Sequence, residues 1–467
     1  MQTKEKGGLS IGIKSFITAI AVILLLMVLT YILTLFIPGG SYARVEGEDG
    51  NLVIDTAAGF TDTEGGIPFW KWLLSPILVL GASGSGTLIA VIVFLLVIGG
   101  IFNSLEHCGL MKYMLDKLVH KFGAVKYRLM ALIVFFFMAL GALVGSFEEC
   151  VPLVPIVVAL SVSLGWNSIV GIAMSMLAVG CGFASGVFNP FTVGVAQQIA
   201  GLPMFSGASM RAFAFLLIYI LLIAFIYFYA KKIERPVDLS DDAHAFVANE
   251  NTDKALVCFA SILGIGIAAI IASGFIPALS DYTMIIVAVM FLIAGISSTL
   301  ISGMKLHELA KTSLDGVLSI LPAVLMILMA SSIKYTLEEA QVLDRILHEA
   351  IKIAESLPTF AVILFIYLIV LVMNFFIPSG SAKAFMLIPL IIPMADVFGI
   401  SAQLCVMAFA FGDGFSNVFY PTNPALLISL GVANTSYTSW FKWSWKFQLA
   451  NITLTSAILL LCLAIGY

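Results

Sequence analysis

The sequence has very little charge: 11% of its 467 residues are Asp, Glu, Lys or Arg, whereas 61% are hydrophobic. Soluble domains carry about 25% charged and about 45–50% apolar residues. A chain this apolar cannot bury its side chains in one aqueous core, so a lipid bilayer must be its solvent. No basic stripe with interleaved aromatic residues is present, which predicts no nucleic acid partner. The composition excludes an ordinary soluble enzyme.

The sequence also lacks the usual signs of catalysis, of a metal site or of a cofactor. It has no nucleophile elbow, P-loop or HExxH pattern, and no catalytic pair in adjacent apolar runs. The five histidines fall in loops or surface helices: His107, His120, His244, His307 and His348. The six cysteines form no CxxC pair and are predicted to be small core residues: Cys108, Cys150, Cys181, Cys258, Cys405 and Cys462. An enzyme is therefore not predicted.

The chain instead has many apolar runs near the roughly 20 residues that span a bilayer. They lie near 16–37, 86–105, 169–200, 211–230, 255–276, 284–302, 317–333, 402–431 and 447–466. The first is interpreted as a retained helix, because no small-residue cleavage site precedes the acidic loop after it. With a cytoplasmic N-terminus, most of the 23 Lys and Arg residues fall inside. This predicts a multi-pass protein of the bacterial cytoplasmic (inner) membrane whose C-terminus lies outside.

Two further apolar stretches, 129–166 and 359–400, are interrupted by small and polar residues. Each half is short for a full crossing, so both are interpreted as re-entrant helical hairpins. Irregular backbone at membrane depth survives only where protein or a watery cavity satisfies its polar groups. Segments 105–119 and 337–354 have amphipathic spacing and are predicted to lie along the interface.

An internal repeat relates the two halves of the chain. Ser185-Gly186-Val187-Phe188-Asn189-Pro190 matches Ser416-Asn417-Val418-Phe419-Tyr420-Pro421. Leu153-Val154-Pro155 likewise matches Leu387-Ile388-Pro389. One extra helix between the units would invert the second unit. The predicted fold is an all-α integral membrane protein with two inverted-topology repeats, each with a re-entrant hairpin and a broken transmembrane helix.

The predicted boundaries follow from this repeat. Repeat 1 covers 1–235, with hairpin 129–166 and broken helix 169–200; a cytoplasmic linker covers 236–254. A linking transmembrane helix covers 255–283, and repeat 2 covers 284–467, with hairpin 359–400 and broken helix 402–431. Interrupted segments in corresponding positions of two halves indicate the binding site of a secondary transporter.

Four charged residues lie in or beside these interruptions: Glu148, Glu149, Lys383 and Asp413. A charge at membrane depth costs at least about 2.5–3.5 kcal/mol, so it usually has a function or a partner. One interpretation is a zwitterion site, in which a carboxylate holds the ammonium or guanidinium of a substrate and Lys383 holds its carboxylate. The other is a structural ion pair between Lys383 and either Asp413 or Glu149. Only one of Glu148 and Glu149 needs to face the site.

Neutral ligands would come from the same interruptions. In the first half they are Ser146, Ser185, Asn189, Thr192 and Gln197, with Pro190 freeing a carbonyl. In the second half they are Ser379, Gly380, Ser381, Ser416, Asn417, Thr422 and Asn423. Helix N-termini attract anions and freed carbonyls hold cations, so these residues are predicted to bind substrate.

The chain resembles the YfcC-type family over nearly its whole length. The resemblance rests on Gly145-Ser146-Phe147-Glu148-Glu149, Gly182-Phe183-Ala184-Ser185 with Asn189-Pro190-Phe191, Ser379-Gly380-Ser381, and Phe411-Gly412-Asp413-Gly414-Phe415-Ser416 with Tyr420-Pro421-Thr422. That family belongs with the basic amino acid antiporters and, more distantly, the C4-dicarboxylate anaerobic carriers of the ion transporter superfamily. The resemblance implies a homodimer with a scaffold domain and a mobile transport domain that moves as an elevator. Lys383 departs from the family pattern, in which a neutral residue is expected there.

The expected function is secondary active transport of amino acids, of the arginine/ornithine antiport type. The alternative is a sodium- or proton-coupled carrier of C4-dicarboxylates or other small carboxylates, with Na⁺ as a candidate coupling ion and no cofactor. A channel would need a continuous polar stripe, and an intramembrane enzyme would need a catalytic pair, so neither is favoured. The expected partners are a small polar solute, the lipid bilayer and a second copy of the chain.

Overall fold

The computed structural model describes residues 13–46, 52–55, 57–82, 85–236, 250–273, 283–354 and 356–467. The first helices are α1 (Ile13–Phe36), α2 (Phe69–Leu73), α3 (Ser75–Leu78), α4 (Ser85–His107), α5 (Leu110–Phe122), α6 (Lys126–Val144) and α7 (Val154–Ser163). The next are α8 (Ser168–Ile172), α9 (Ala178–Ser185), α10 (Val195–Ile199), α11 (Ala208–Ile233), α12 (Glu250–Ser273) and α13 (Thr283–Ile301). The last are α14 (Leu306–Glu339), α15 (Val342–Ala354), α16 (Thr359–Phe376), α17 (Gly380–Val397), α18 (Ala402–Asn417), α19 (Pro424–Val432) and α20 (Tyr437–Ile465).

Short strands occupy the acidic loop after α1, which the sequence analysis left without structure. Strand β1 (Gly39–Tyr42) pairs antiparallel with β4 (Phe60–Thr63), and β2 (Arg44–Glu46) pairs with β3 (Leu52–Ile54). This loop packs on the amphipathic helix α15. The main-chain N–H of Tyr42 donates to Asp344 at 3.0 Å, and the Arg44 guanidinium pairs with the same carboxylate at 2.9 Å.

The first predicted hairpin is formed by α6 and α7. Its arms are joined by an irregular tip and a 3₁₀ turn, Glu148–Leu153. Its two ends lie together: Nζ of Lys126 donates to the carbonyl of Leu164 at 3.1 Å. The end of α11 lies there too, because Lys126 pairs with Glu234 at 2.6 Å. The hydrogen bond from Lys126 lowers the pKa of Glu234, which keeps this carboxylate ionised at neutral pH.

The second predicted hairpin is formed by α16 and α17, which are separated by Ile377–Ser379. Each arm has 18 residues, or about 27 Å of helix at about 1.5 Å per residue. The arms are therefore longer than the sequence analysis expected, and α6 has 19 residues. The end of this hairpin lies beside the start of α11: Ser401 donates to the carbonyl of Tyr467, whose hydroxyl donates to Gly207 at 2.8 Å. The two hairpins therefore end at opposite ends of α11.

Most predicted spans are helices, with shifted bounds. Within the described residues, nine helices are long and apolar enough to cross a membrane, and hairpin arms are among them. The span predicted at 317–333 is part of the 34-residue helix α14, and the last span begins earlier, at Tyr437. The described parts of the spans near 16–37 and 284–302 contribute shorter apolar helices. Most of the linker 236–254 and the segment 274–282 lie outside the described residues.

Broken helices form the centre of the protein. The segment α8–α10 is almost entirely buried, and every residue of α18 from Leu404 to Asn417 is buried. Glycines allow the backbones to touch. A Cβ on Gly182 would lie 1.9 Å from the carbonyl oxygen of Met138 in α6, and one on Gly414 would lie 2.3 Å from Cα of Ala184. Hairpin 1 and the two broken helices are thus packed backbone to backbone.

Candidate functional site

The two hairpin tips and the two helix breaks meet in one place. A Cβ on Gly145, at the tip of hairpin 1, would lie 2.4 Å from Oδ1 of Asn189 in the first break. A Cβ on Gly380, at the tip of hairpin 2, would lie 2.7 Å from both Thr192 Cγ2 and Asp413 Oδ2. Residues that the sequence analysis assigned to four separate segments are therefore neighbours.

Asn189 restarts the helix after the first break. Its side-chain oxygen accepts hydrogen bonds from the N–H groups of Phe191 at 3.0 Å and Thr192 at 3.3 Å. Asparagine is among the best N-cap residues because it satisfies N–H groups that have no partner within the helix. Pro190 follows at the first helical position, where its missing N–H costs nothing. Asn189 therefore has a structural function here, with both ends of its amide engaged.

Arg211, in α11, binds the other side of this break and was missed by the sequence analysis. Its guanidinium is fully buried and donates to the carbonyls of Gly186 at 2.9 Å and Val187 at 3.1 Å. It also donates to the carbonyls of Ser206 and Phe205. A charged residue inside a predicted span was the available signal, since such a residue needs buried partners.

The second break is held in a parallel way. The indole N–H of Trp440, in α20, donates at 2.9 Å to the carbonyl of Val418, the residue that the repeat aligns with Val187. Asn423 caps α19 through Leu426 N–H at 3.2 Å and donates to Oδ1 of Asn417 at 3.2 Å. In each half, therefore, a side chain of the helix that follows the broken helix, α11 or α20, donates a hydrogen bond to the corresponding carbonyl.

Lys383 is completely buried and bonded to three oxygens. Its Nζ donates to Asp413 Oδ1 at 2.5 Å, to the carbonyl of Ile377 at 2.8 Å, and to Oδ1 of Asn374. An ammonium group has three N–H donors and no acceptor, so these bonds use all of them. This geometry is that of the structural ion pair between Lys383 and Asp413. It leaves Lys383 no donor for a substrate carboxylate.

Asn374, which the sequence analysis also missed, orients this pair. Its Nδ2 lies within hydrogen-bond distance of Ser416 Oγ at 2.7 Å, Asn417 Oδ1 at 2.9 Å and the carbonyl of Asp413 at 3.0 Å, and its two N–H donors are shared among these three acceptors. These bonds turn its side-chain oxygen towards Lys383. Asn374 lies in the middle of an apolar arm, so its role depends on contacts with α18 that no local pattern reveals.

The tip of hairpin 1 carries the acidic residues. Glu149 accepts a hydrogen bond from the main-chain N–H of Phe147 at 3.1 Å, so its carboxylate is turned back to its own loop. Glu148 is half-buried and forms no ion pair with any residue that the structure describes, and it lies within electrostatic range of Asp413. Glu148 is thus the tip carboxylate left available.

Several buried oxygens at the site have no hydrogen-bond partner among the described residues: Ser146 Oγ, Thr192 Oγ1, Asp413 Oδ2 and Thr422 Oγ1. All four belong to the predicted site. Buried polar groups are nearly always hydrogen-bonded, so unpartnered ones need an explanation such as a bound ligand. Ser146 lies at the tip of hairpin 1 and Asp413 lies beside the tip of hairpin 2, whereas Thr192 and Thr422 belong to the first and second breaks.

Other predicted residues have different surroundings. The hydroxyl of Ser185 donates to the carbonyl of Gly182 within its own helix at 2.7 Å, and Gln197 bonds to Ser206 and Phe205 beyond the break.

Ser379 and Ser381 line a cavity of about 740 Å³ that lies between hairpin 2, the strand loop, the end of α14 and the start of α15. Its charged lining residues are Arg44, Lys334, Glu338, Glu339 and Asp344. Ser379 also caps α17, through Ala382 N–H at 3.5 Å.

The family of this protein is shown by a family model that matches nearly the whole chain. A family model described as C4-dicarboxylate anaerobic carrier (DcuC) matches residues 16–464. The chain belongs to this carrier family. It is a multi-pass membrane transporter, as the sequence predicted, and the resemblance to the group that contains YfcC is confirmed.

The chain is similar to proteins of several bacteria. The chain is 30% identical over 384 residues to the Escherichia coli (strain K12) protein named "Putative basic amino acid antiporter YfcC", covering 77% of this chain and 75% of that one. It is 25% identical over 371 residues to an uncharacterized protein of Haemophilus influenzae, covering 75% and 71%. Among solved structures, the YdaH transporter of Alcanivorax borkumensis aligns over 97% of this chain and 99% of that one, with a TM-score of 0.45 and 18% identity.

Proposed function

We propose that this chain is a secondary active transporter of cationic amino acids, of the arginine/ornithine antiport type. The observation that carries the proposal is the closed hydrogen-bonding of Lys383, which is neutralised by Asp413 and has no donor left. The remaining charges at the meeting point are the carboxylates of Glu148 and Glu149. A site with this excess of negative charge favours a substrate with a net positive charge. The name of the Escherichia coli relative, a basic amino acid antiporter, supports the same substrate class.

The substrate's own carboxylate would lie at the tip of hairpin 2. Gly380 and Ser381 begin α17, an 18-residue helix, so their main-chain N–H groups have no partner within the helix. Such N-termini bind anions. The hydroxyls of Thr192 and Ser146 are buried, unpartnered and part of the same cluster. In this arrangement Glu148 holds the side-chain cation and α17 holds the carboxylate.

We further propose that the two halves are inverted repeats and that hairpins and broken helices move together, as an elevator, in a homodimer. Support comes from the contacts. The ends of hairpin 1 lie at the Glu234 end of α11, while the end of hairpin 2 lies at the Gly207 end. Hairpin 1 and both broken helices touch backbone to backbone, which suits movement as one unit. The cavity beside Ser379 and Ser381 would be the route to the site from one side.

A C4-dicarboxylate is the second candidate, and the family description favours it. A dianion would need free cationic donors. Within the described part of the chain, Lys383 is the cation paired with Asp413 at the meeting point, and all its N–H donors are used. The geometry therefore supports the cationic substrate better.

Replacing Glu148 with glutamine is expected to reduce arginine uptake strongly. A hydrogen bond to a charged group contributes about 1.5–3 kcal/mol, which corresponds to a loss of roughly 10- to 150-fold. The measurement is counterflow of labelled arginine, ornithine and succinate in proteoliposomes. Glu106→Gln, at an exposed position at the end of α4, is the matched control and should transport normally. Succinate exchange by the wild type without arginine exchange would overturn the proposal.

The proposed orientation is tested by cysteine labelling. Single cysteines at Ala58 and Lys232, both exposed, are introduced into a variant with the six native cysteines replaced. With a cytoplasmic N-terminus, Ala58→Cys should react with an impermeant maleimide in intact cells, and Lys232→Cys should react only after lysis. Reaction of both from the same side would disprove the topology.

A further inference from the structure

The surroundings of the Lys383 ammonium resemble a site for a metal cation. Three oxygens of different origin surround Nζ: the carboxylate of Asp413 at 2.5 Å, the main-chain carbonyl of Ile377 at 2.8 Å and the amide oxygen of Asn374. Hard cations prefer such sets of carboxylate, amide and carbonyl oxygens. In transporters, unwound main-chain carbonyls at helix breaks are typical ligands of Na⁺.

The amide oxygen of Asn374 and the carbonyl of Ile377 are held in place independently of Lys383. Ile377 lies where α16 ends, and its carbonyl is free because the chain has left the helical conformation there. Asn374 is fixed by the two N–H donors of its Nδ2, which three acceptors in α18 share. Asp413 has a second oxygen, Oδ2, that is buried and unpartnered and lies towards Gly380. Two of the three oxygens would therefore stay in place if the ammonium were removed, and Asp413 would have both of its oxygens to offer a cation.

We propose that the ammonium of Lys383 occupies a cation site of the transporter as a tethered replacement for Na⁺, so that transport by this chain does not require sodium. The inference rests on the proposed function, and it adds a statement about whether transport depends on sodium. Lysine carries a compact point charge on a flexible stem, which suits this replacement better than the planar fork of arginine. A covalently attached cation cannot dissociate, so the site stays filled through every stage of transport.

The test removes the tethered charge and asks whether sodium replaces it. Lys383→Met keeps the length of the side chain but leaves the Asp413 carboxylate buried without a partner. Thermal unfolding of purified wild type, Lys383→Met and Lys383→Met/Asp413→Asn is followed in NaCl, KCl and choline chloride at constant ionic strength. The double variant is the matched control, because it has lost both charges.

The wild type should unfold at the same temperature in all three salts. Lys383→Met should unfold at lower temperature in choline and be restored saturably by sodium, whereas the double variant should not respond. Arginine uptake by Lys383→Met, where it survives, should be at least about tenfold faster in sodium than in choline. A saturable, sodium-specific stabilisation of the wild type would overturn the proposal, as would a folded Lys383→Met that ignores sodium.

Two features keep the test decisive. If Lys383→Met is not recovered in folded form, Lys383→Gln is compared in the same salts, and the sodium titration of the wild type is itself a test. Unfolding is measured without any transported solute. A wrong substrate class would therefore leave the salt responses unchanged, while a wrong ion assignment would leave arginine exchange by the wild type unchanged.

Discussion

Replacing Asp413 with alanine is expected to abolish uptake and to lower the free energy of unfolding by about 3–5 kcal/mol. The substitution leaves the fully buried ammonium of Lys383 without its carboxylate, and breaking a buried pair by removing one partner is strongly destabilising. No added cation can restore this variant, because the unbalanced charge is itself positive. The measurements are arginine exchange in proteoliposomes and thermal unfolding in detergent.

Two variants control this result. Asp62→Ala removes a carboxylate that is 77% exposed and paired with Arg345, and exposed pairs contribute about 0–1 kcal/mol, so it should be nearly silent. Lys383→Ala/Asp413→Ala removes both charges and should be more stable than Asp413→Ala alone. An Asp413→Ala protein with wild-type stability and exchange would mean that the pair is not a determinant of the site.

Replacing Gly182 or Gly414 with alanine is expected to prevent accumulation of folded protein. The added Cβ would lie 1.9 Å from the Met138 carbonyl oxygen or 2.3 Å from Ala184 Cα. Both obstacles are backbone, so the helices must separate. Overpacking of a core typically costs about 1–3 kcal/mol, and contact with rigid backbone is the more severe case. Fluorescence-detected size-exclusion chromatography of solubilised membranes would measure the folded fraction.

Gly264→Ala is the control for both glycine variants. Gly264 lies in α12 and a Cβ there would meet no atom within 4 Å. Since alanine favours the helix over glycine, this variant should be as stable as the wild type or slightly more so. Normal yields for Gly182→Ala and Gly414→Ala would show that the helices are further apart than described.

The helical architecture, and the approach of the hairpin tips to the helix breaks, followed from local patterns. The interruption around Gly145 and Ser146, and the one around Pro378 and Ser379, became the tips of helical hairpins. The matched motifs at Ser185 and Ser416 became helix ends. Proline, glycine and asparagine determine where a helix stops and restarts, so these features are readable from sequence.

What could not be predicted depends on contacts between distant segments. Lys383 had two equally plausible partners, and only the packing of α17 on α18 places Asp413, rather than Glu149, beside it. The strands after α1 are short, and they are supported by contacts with α15. Arg44 and Asp344, which form one of these contacts, are 300 residues apart in the sequence. The arms of hairpin 2 were judged short for a full crossing, whereas each of them is an 18-residue helix.

The bonds to Val187 and Val418 have a consequence for how the two halves relate. The first carbonyl is bound by a guanidinium and the second by an indole. On the proposal that the halves are inverted repeats, one unit carries a buried guanidinium at this place and the other a neutral ring. A protein assembled from two copies of either half would therefore have two charged clamps or none, and neither chimaera would reproduce the field inside the natural molecule.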